Sequence, residues 1–147
     1  MSEIKTDKLT GTSTAGSILV TGEGNSTTTN LQQGLSKAYI SFSTDNPTSV
    51  RGSFNTSSVT DNGTGDTTIS INNNMANINY AIPSQLGDSD QSDASVRTMQ
   101  IIDGSGGTFR TTSVFRTAIV YSNVPNNVGR TYLDQSVADC VVHGDLA

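Results

Sequence analysis

His143 is the only histidine in the chain, and Cys140, the only cysteine, stands three residues before it. A Cys-His mechanism needs its nucleophile beside its base. On a strand, side chains three residues apart point to opposite faces, so the spacing argues for a strand histidine and a small buried thiol rather than a catalytic dyad. Asp61 and Asp66 bracket one turn, and Asp88, Asp90 and Asp93 lie in DSDQSD. Both clusters could offer oxygens to a hard cation. Neither carries the ligand series of an EF-hand loop with its closing bidentate Glu, and Asp is common in turns because its carboxylate bonds its own backbone. A glycosidase would need two carboxyl groups about 5 to 9.5 Å apart beside a cleft with sugar-stacking aromatics. The chain has no Trp, and its Tyr and Phe residues fall mostly in strand patterns. The expectation is a protein that is not an enzyme and uses no catalytic residue, metal or cofactor. Sugar binding without cleavage stays open, and Tyr121 and Tyr132, flanking an Asn-rich loop, read either as packing or as surface-recognition residues.

The elements that would position these groups follow from composition. Ser, Thr, Asn and Gly make up nearly half of the 147 residues, Glu occurs only at positions 3 and 23, and Lys only at 5, 8 and 37. Helix surfaces are usually built from Glu, Lys, Ala and Gln, which lose little rotamer freedom there, whereas Thr, Val and Ile fit a pleated strand. The chain therefore reads as all-β. With 33% apolar residues its core should be thin, and neighbouring chains would help it fold. The net charge of -5 and the absence of a Lys/Arg cluster argue against a nucleic-acid partner. A lone cysteine fits synthesis in a reducing cytoplasm. No apolar core of signal-peptide length opens the sequence and no window approaches a membrane span of about 20 apolar residues, so neither secretion by that route nor a membrane is expected.

Residues 1 to 36 differ from the rest. They lack aromatics, and their apolar groups are scattered: Ile4, Leu9, the run Ile18, Leu19 and Val20, then Leu31 and Leu35. Such a stretch cannot close a core of its own, which predicts an extended attachment or interchain arm carried by Ile4, Leu9, Ile18, Leu19 and Val20. Residues 37 to 147 predict an antiparallel β-sandwich or barrel-like outer domain. In KAYISFS, Ala38, Ile40 and Phe42 alternate with Tyr39 and Ser41, the period of a half-buried strand. Residues 50 to 60 and 67 to 72 flank DNGTGD, whose glycines supply the positive φ of a tight hairpin. Ile78, Tyr80 and Ile82 alternate up to Pro83 and read as a strand, followed by a solvent-facing polar loop over residues 84 to 94. A second hairpin spans 96 to 102 and 108 to 121 around DGSGG, with Arg97, Arg110 and Arg116 at edges or outward positions. A loop over 122 to 130 leads to a last strand at 136 to 143.

Four stretches carry a resemblance: SEIKTDKLTGTSTAGSILVTGEG; NLQQGLSKAYISF; SFNTSSVTDNGTGDTTISINNNMANINYAI; and VADCVVHGDLA. On these the chain resembles small fibre-like structural proteins of tailed bacteriophages, especially marine ones. The second stretch is similar to a GLAKAWVNF segment of that family, except that Tyr39 stands where the pattern has Trp, and the fourth to endings in GDLA. Residues 84 to 135 match only loosely. The resemblance implies a virion protein, a homotrimer whose N-terminal part binds other virion proteins and whose β-domain faces outward toward a host-surface glycan or protein. Thin core resources are compatible with three copies around an axis. Two functions fit: a tail or head fibre that contributes to host attachment, or a decoration protein that stabilises the capsid.

Overall fold

The computed structural model describes residues 3–13, 18–21, 27–45, 48–87, 96–102, 110–123 and 128–147. The chain divides into two compact units, Met1–Leu35 and Ser36–Ala147. In the first, β1 (Leu19–Thr21) and β2 (Thr28–Asn30) form an antiparallel hairpin, and one helical turn, α1 (Leu31–Gly34), follows. Asn30 caps that turn, its Oδ1 accepting from the backbone N of Gln32 at 2.8 Å, which satisfies a donor the helix itself cannot. Part of the segment read as an arm thus carries local structure, while residues 3–13 have no strand or helix. None of the residues of α1 is buried.

The second unit is built from antiparallel sheets and is all-β, as composition predicts. One sheet has the order β4-β3-β11-β7, from β3 (Ala38–Ser43), β4 (Ser49–Phe54), β7 (Ser84–Gly87) and β11 (Val137–Val142). The other runs β10-β9-β6-β5 with β8 on the opposite edge of β9, from β5 (Thr56–Gly63), β6 (Asp66–Ile71), β8 (Val96–Ile101), β9 (Val114–Asn123) and β10 (Val128–Tyr132). One buried cluster draws on both: Ala38, Ile40, Phe42, Ala138, Cys140 and Val142 from the four-stranded sheet; Ile69, Ile71, Phe115 and Ile119 from the five-stranded sheet; and Met75 and Tyr80 from the segment between β6 and β7. The alternation read in KAYISFS is borne out, since Ala38, Ile40 and Phe42 are buried and Tyr39 is exposed.

The predicted strand over residues 50 to 60 is two strands in different sheets. It breaks at Asn55, whose φ is +54°. Asn tolerates the left-handed region better than most residues, and its side chain fixes the corner: Nδ2 donates to Lys37 O at 2.9 Å and Oδ1 accepts from Asn73 N at 2.7 Å. The β5–β6 hairpin is as predicted but tighter, with Gly63 opposite Asp66 and only two residues at the tip. Gly65, with φ +63°, has no room for a side chain: a Cβ would lie 2.6 Å from Leu133 O and 2.7 Å from Ile119 O. There β6 and the end of β10 meet along β9, and Gly65 N donates to Asp134 Oδ1 at 2.7 Å.

Three further expectations are corrected. Residues 78 to 82 are not a strand. Ile78 is exposed and Ala81 makes only a bridge to His143, while Tyr80 is buried with its hydroxyl donating to Thr111 O at 2.7 Å. The segment instead contributes Tyr80 to the core, with Ile82 packed against it. The polar loop begins with an edge strand, β7, paired to β11. Of the loop at 122 to 130, residues 122–123 and 128–130 belong to the β9–β10 pair, and 124–127 lie outside the described residues. The second hairpin pairs β8 with β9 as predicted, its DGSGG turn lying outside the described residues.

Candidate functional site

The two sheets present different outer faces. In an antiparallel pair, directly opposed residues share a face. Across the four-stranded sheet this aligns Phe54 of β4 with Tyr39 of β3 and Tyr39 with Val141 of β11, and Pro83 O accepts from Val141 N at 3.0 Å at the far edge. Phe54 is 56% and Tyr39 44% exposed. The result is an apolar row spanning the sheet. The neighbouring row is Gly52, Ser41, Asp139 and Gln85. The Tyr39 ring leans over Gly52, where a Cβ would stand 3.9 Å from its Cε2 and Oη.

Asp139 lies in a shallow depression of about 200 Å³ lined by Pro83, Ser84, Gln85 and Val141. Its Oδ1 is buried without a hydrogen-bond partner among the described residues, a costly state for a carboxylate oxygen. A donor arriving from outside the chain would relieve it.

The outer face of the five-stranded sheet is mixed: polar and internally satisfied along β5 and β6, with Val96, 70% exposed, and Val120 toward the β8 and β10 side. Arg116 of β9 opposes Thr68 and makes a two-point ion pair with Asp66, Nε to Oδ1 at 2.6 Å and Nη2 to Oδ2 at 2.5 Å. That hydrogen bond raises the Arg116 pKa above its ordinary value, against the opposing effect of burial. Asn62 Nδ2 donates to Thr68 Oγ1 at 2.8 Å. Ser58, Thr60 and Thr98 complete a hydroxyl-rich surface, and Tyr132, 48% exposed, opposes Val120 on its far side.

The arginines expected at edges or outward positions are folded in. Arg116 is half-buried in its ion pair. Arg110 lies over the Tyr80 ring, 5.8 Å from its centre, and its Nη1 donates to Tyr80 O at 3.3 Å. Arg97 shares the inner side of β8 with Met99 and Ile101. With the Gln135 side-chain nitrogen donating to Gly87 O at 2.7 Å, its oxygen accepts from Arg97 Nη1 at 3.0 Å. The charge of these groups is spent inside the fold.

Cys140 is buried on the inner face of β11, its Sγ 3.3 Å from Met99 Sδ. Burial, with a smaller effect of Asp139, pushes its thiol up to about 12, the reverse of what a nucleophile needs. His143 follows β11 in the bridge to Ala81. Asp61 is used in the turn, its Oδ1 accepting from Gly63 N at 2.8 Å and its Oδ2 from Thr48 Oγ1 at 3.1 Å. Asp88, Asp90 and Asp93 lie outside the described residues. Among the described residues no group of three His, Cys, Asp or Glu is placed to hold a metal ion, and no helix is long and apolar enough to cross a membrane.

In the first unit, Ile4 is 88% exposed, Leu9 59%, Leu19 61% and Val20 48%, and Ile18 is half-buried. Val20, Leu31 and Leu35 line a groove of about 250 Å³ with Thr29, Asn30 and Gly34. Comparison with models of known families, with curated proteins and with solved structures found no match to this chain.

Proposed function

We propose that the chain is a structural protein of a bacteriophage particle, a homotrimeric tail or head fibre that contributes to host attachment and performs no catalysis. In this reading residues 37 to 147 form a β-sandwich whose two sheets cover one core, and residues 1 to 36 join the protein to neighbouring virion proteins. The observation that carries the reading is apolar surface left unsatisfied by the chain itself, on the row Phe54, Tyr39 and Val141 and along Ile4, Leu9, Leu19 and Val20. Contiguous exposed apolar residues mark association surfaces, whereas single scattered ones do not. The resemblance to phage fibre-like proteins supplies the biological setting, the virion, after synthesis in a host bacterial cytoplasm. Capsid decoration is the rival role, and it predicts density over capsid-subunit junctions and fragile heads when the protein is missing. Antibody labelling of intact particles tests the choice: label on projecting fibres with cell binding by the isolated trimer supports the fibre, and label spread evenly over the head overturns it.

A further inference from the structure

We infer that the outer face of the four-stranded sheet is covered by the N-terminal segment of a second copy, residues 3–13, so that copies are linked by exchanged arms. This rests on the assembly reading above and names the partner of its apolar face. The two surfaces match in kind. The face offers an apolar row with one acidic group, the Asp139 carboxylate, whose buried Oδ1 has no partner among the described residues. Residues 3–13 offer two apolar side chains that are mostly in water, Ile4 and Leu9, and, with Lys5 paired to Glu3 at 3.5 Å, a cation at Lys8 next to Leu9.

Dimensions agree as well. Four paired strands measure about 14 Å from the first to the last at ~4.8 Å per step. The five steps from Ile4 to Leu9 reach at most about 17 Å, and a bend at Asp7, where Thr6 Oγ1 bonds both the O and the N of Lys8, shortens that. A chain laid across the strands thus brings Ile4 and Leu9 to opposite ends of the row. Leu9 near Val141 and Pro83 puts Lys8 within side-chain reach of Asp139. On the other sheet the β5–β6 side offers no comparable seat, because Asp66 and Arg116 already neutralise each other and the surface is lined with hydroxyl groups, and the side with exposed Val96 and Tyr132 has no unpartnered buried carboxylate among the described residues.

The test uses two full-length variants, Leu9→Cys and Val141→Cys, carrying different tags, co-expressed and oxidised. Cys140, buried against Met99, stays out of the reaction. A covalent dimer containing both tags is expected, forming at least tenfold more readily than the dimer from Leu9→Cys with Thr60→Cys on the other sheet. Equal crosslinking to both positions, or none to position 141, overturns the inference. Light scattering of the wild-type chain separates this from the parent reading: a trimer without the 9–141 link sinks arm exchange alone, and a monomer sinks both. As a second arm, Lys8→Asp should weaken association and Asp139→Lys should restore it in the double variant; loss without rescue counts against the contact.

Discussion

The two sheets bury the same kind of inner face and differ in how their outer polar groups are satisfied. Phe42 and Ile40 on one and Phe115 and Ile69 on the other are all buried in one shared core. Outside, the five-stranded sheet closes its polar groups on themselves through Asp66, Arg116, Asn62 and Thr68, while the four-stranded sheet leaves Phe54 and Tyr39 half in water and a carboxylate oxygen of Asp139 unmatched. The β5–β6 part of the five-stranded face is finished within the chain, although Val96 and Tyr132 stay exposed at its other side. The four-stranded face is the one that assembly would complete.

If the inner faces are equivalent, Phe42→Ala and Phe115→Ala should each cost about 3 to 5 kcal/mol in denaturant unfolding, and a much smaller loss at either would break the symmetry. Next in size comes Gly65→Ala on the five-stranded side. The added methyl would meet two carbonyl oxygens at a left-handed position, and about 3 kcal/mol of lost stability is expected from strain and overpacking. On the polar outer face, Asp66→Asn removes a half-buried ion pair and should cost about 1 kcal/mol, with unchanged association. On the apolar outer face, Phe54→Ser should change the unfolding of the isolated chain by less than about 0.5 kcal/mol yet weaken its self-association.

Cys140 gives a pH signature of the shared core. Its folded pKa is raised to about 12, above the ordinary thiol range near 8.5. The folded state therefore holds the proton more tightly, and this contribution is fully present below the unfolded value and is lost as pH rises toward 12. A Cys140→Ala variant should lose less stability than wild type between pH 9 and 11. The wild-type thiol should also react with a disulfide reagent at pH 8 only on unfolding; rapid reaction of the native chain would mean that the core is open.

Much of this fold was legible where a period and a turn signal agreed. KAYISFS, the hairpin around DNGTGD and the last strand all combine alternating burial with a clear boundary. Legibility failed where the chain changes sheet. The stretch VRGSFNTSSVT has no Gly-Pro punctuation at Asn55, and a left-handed Asn is the only mark of the corner. It failed again at Ile78, Tyr80 and Ile82, whose alternation is real but whose backbone finds single partners such as His143 rather than a ladder. β7 was hidden because SQLG is an edge strand with one apolar residue facing the core. The apolar face itself was half visible: Tyr39 had to point away from Ile40 and Phe42, but its meeting with Phe54 and Val141 depends on registers that no local pattern encodes. The arm residues Ile4, Leu9, Leu19 and Val20 could be singled out because nothing near them in sequence could bury them.

The most direct measurement is the mass of the purified chain in solution by light scattering, compared with that of a Tyr39→Ser, Phe54→Ser double variant shown by circular dichroism to be folded. The wild type is predicted at three times the 15.4 kDa chain mass and the variant at one. A folded wild-type monomer, or a variant that still forms the trimer, would contradict the claim that the four-stranded face is where copies meet.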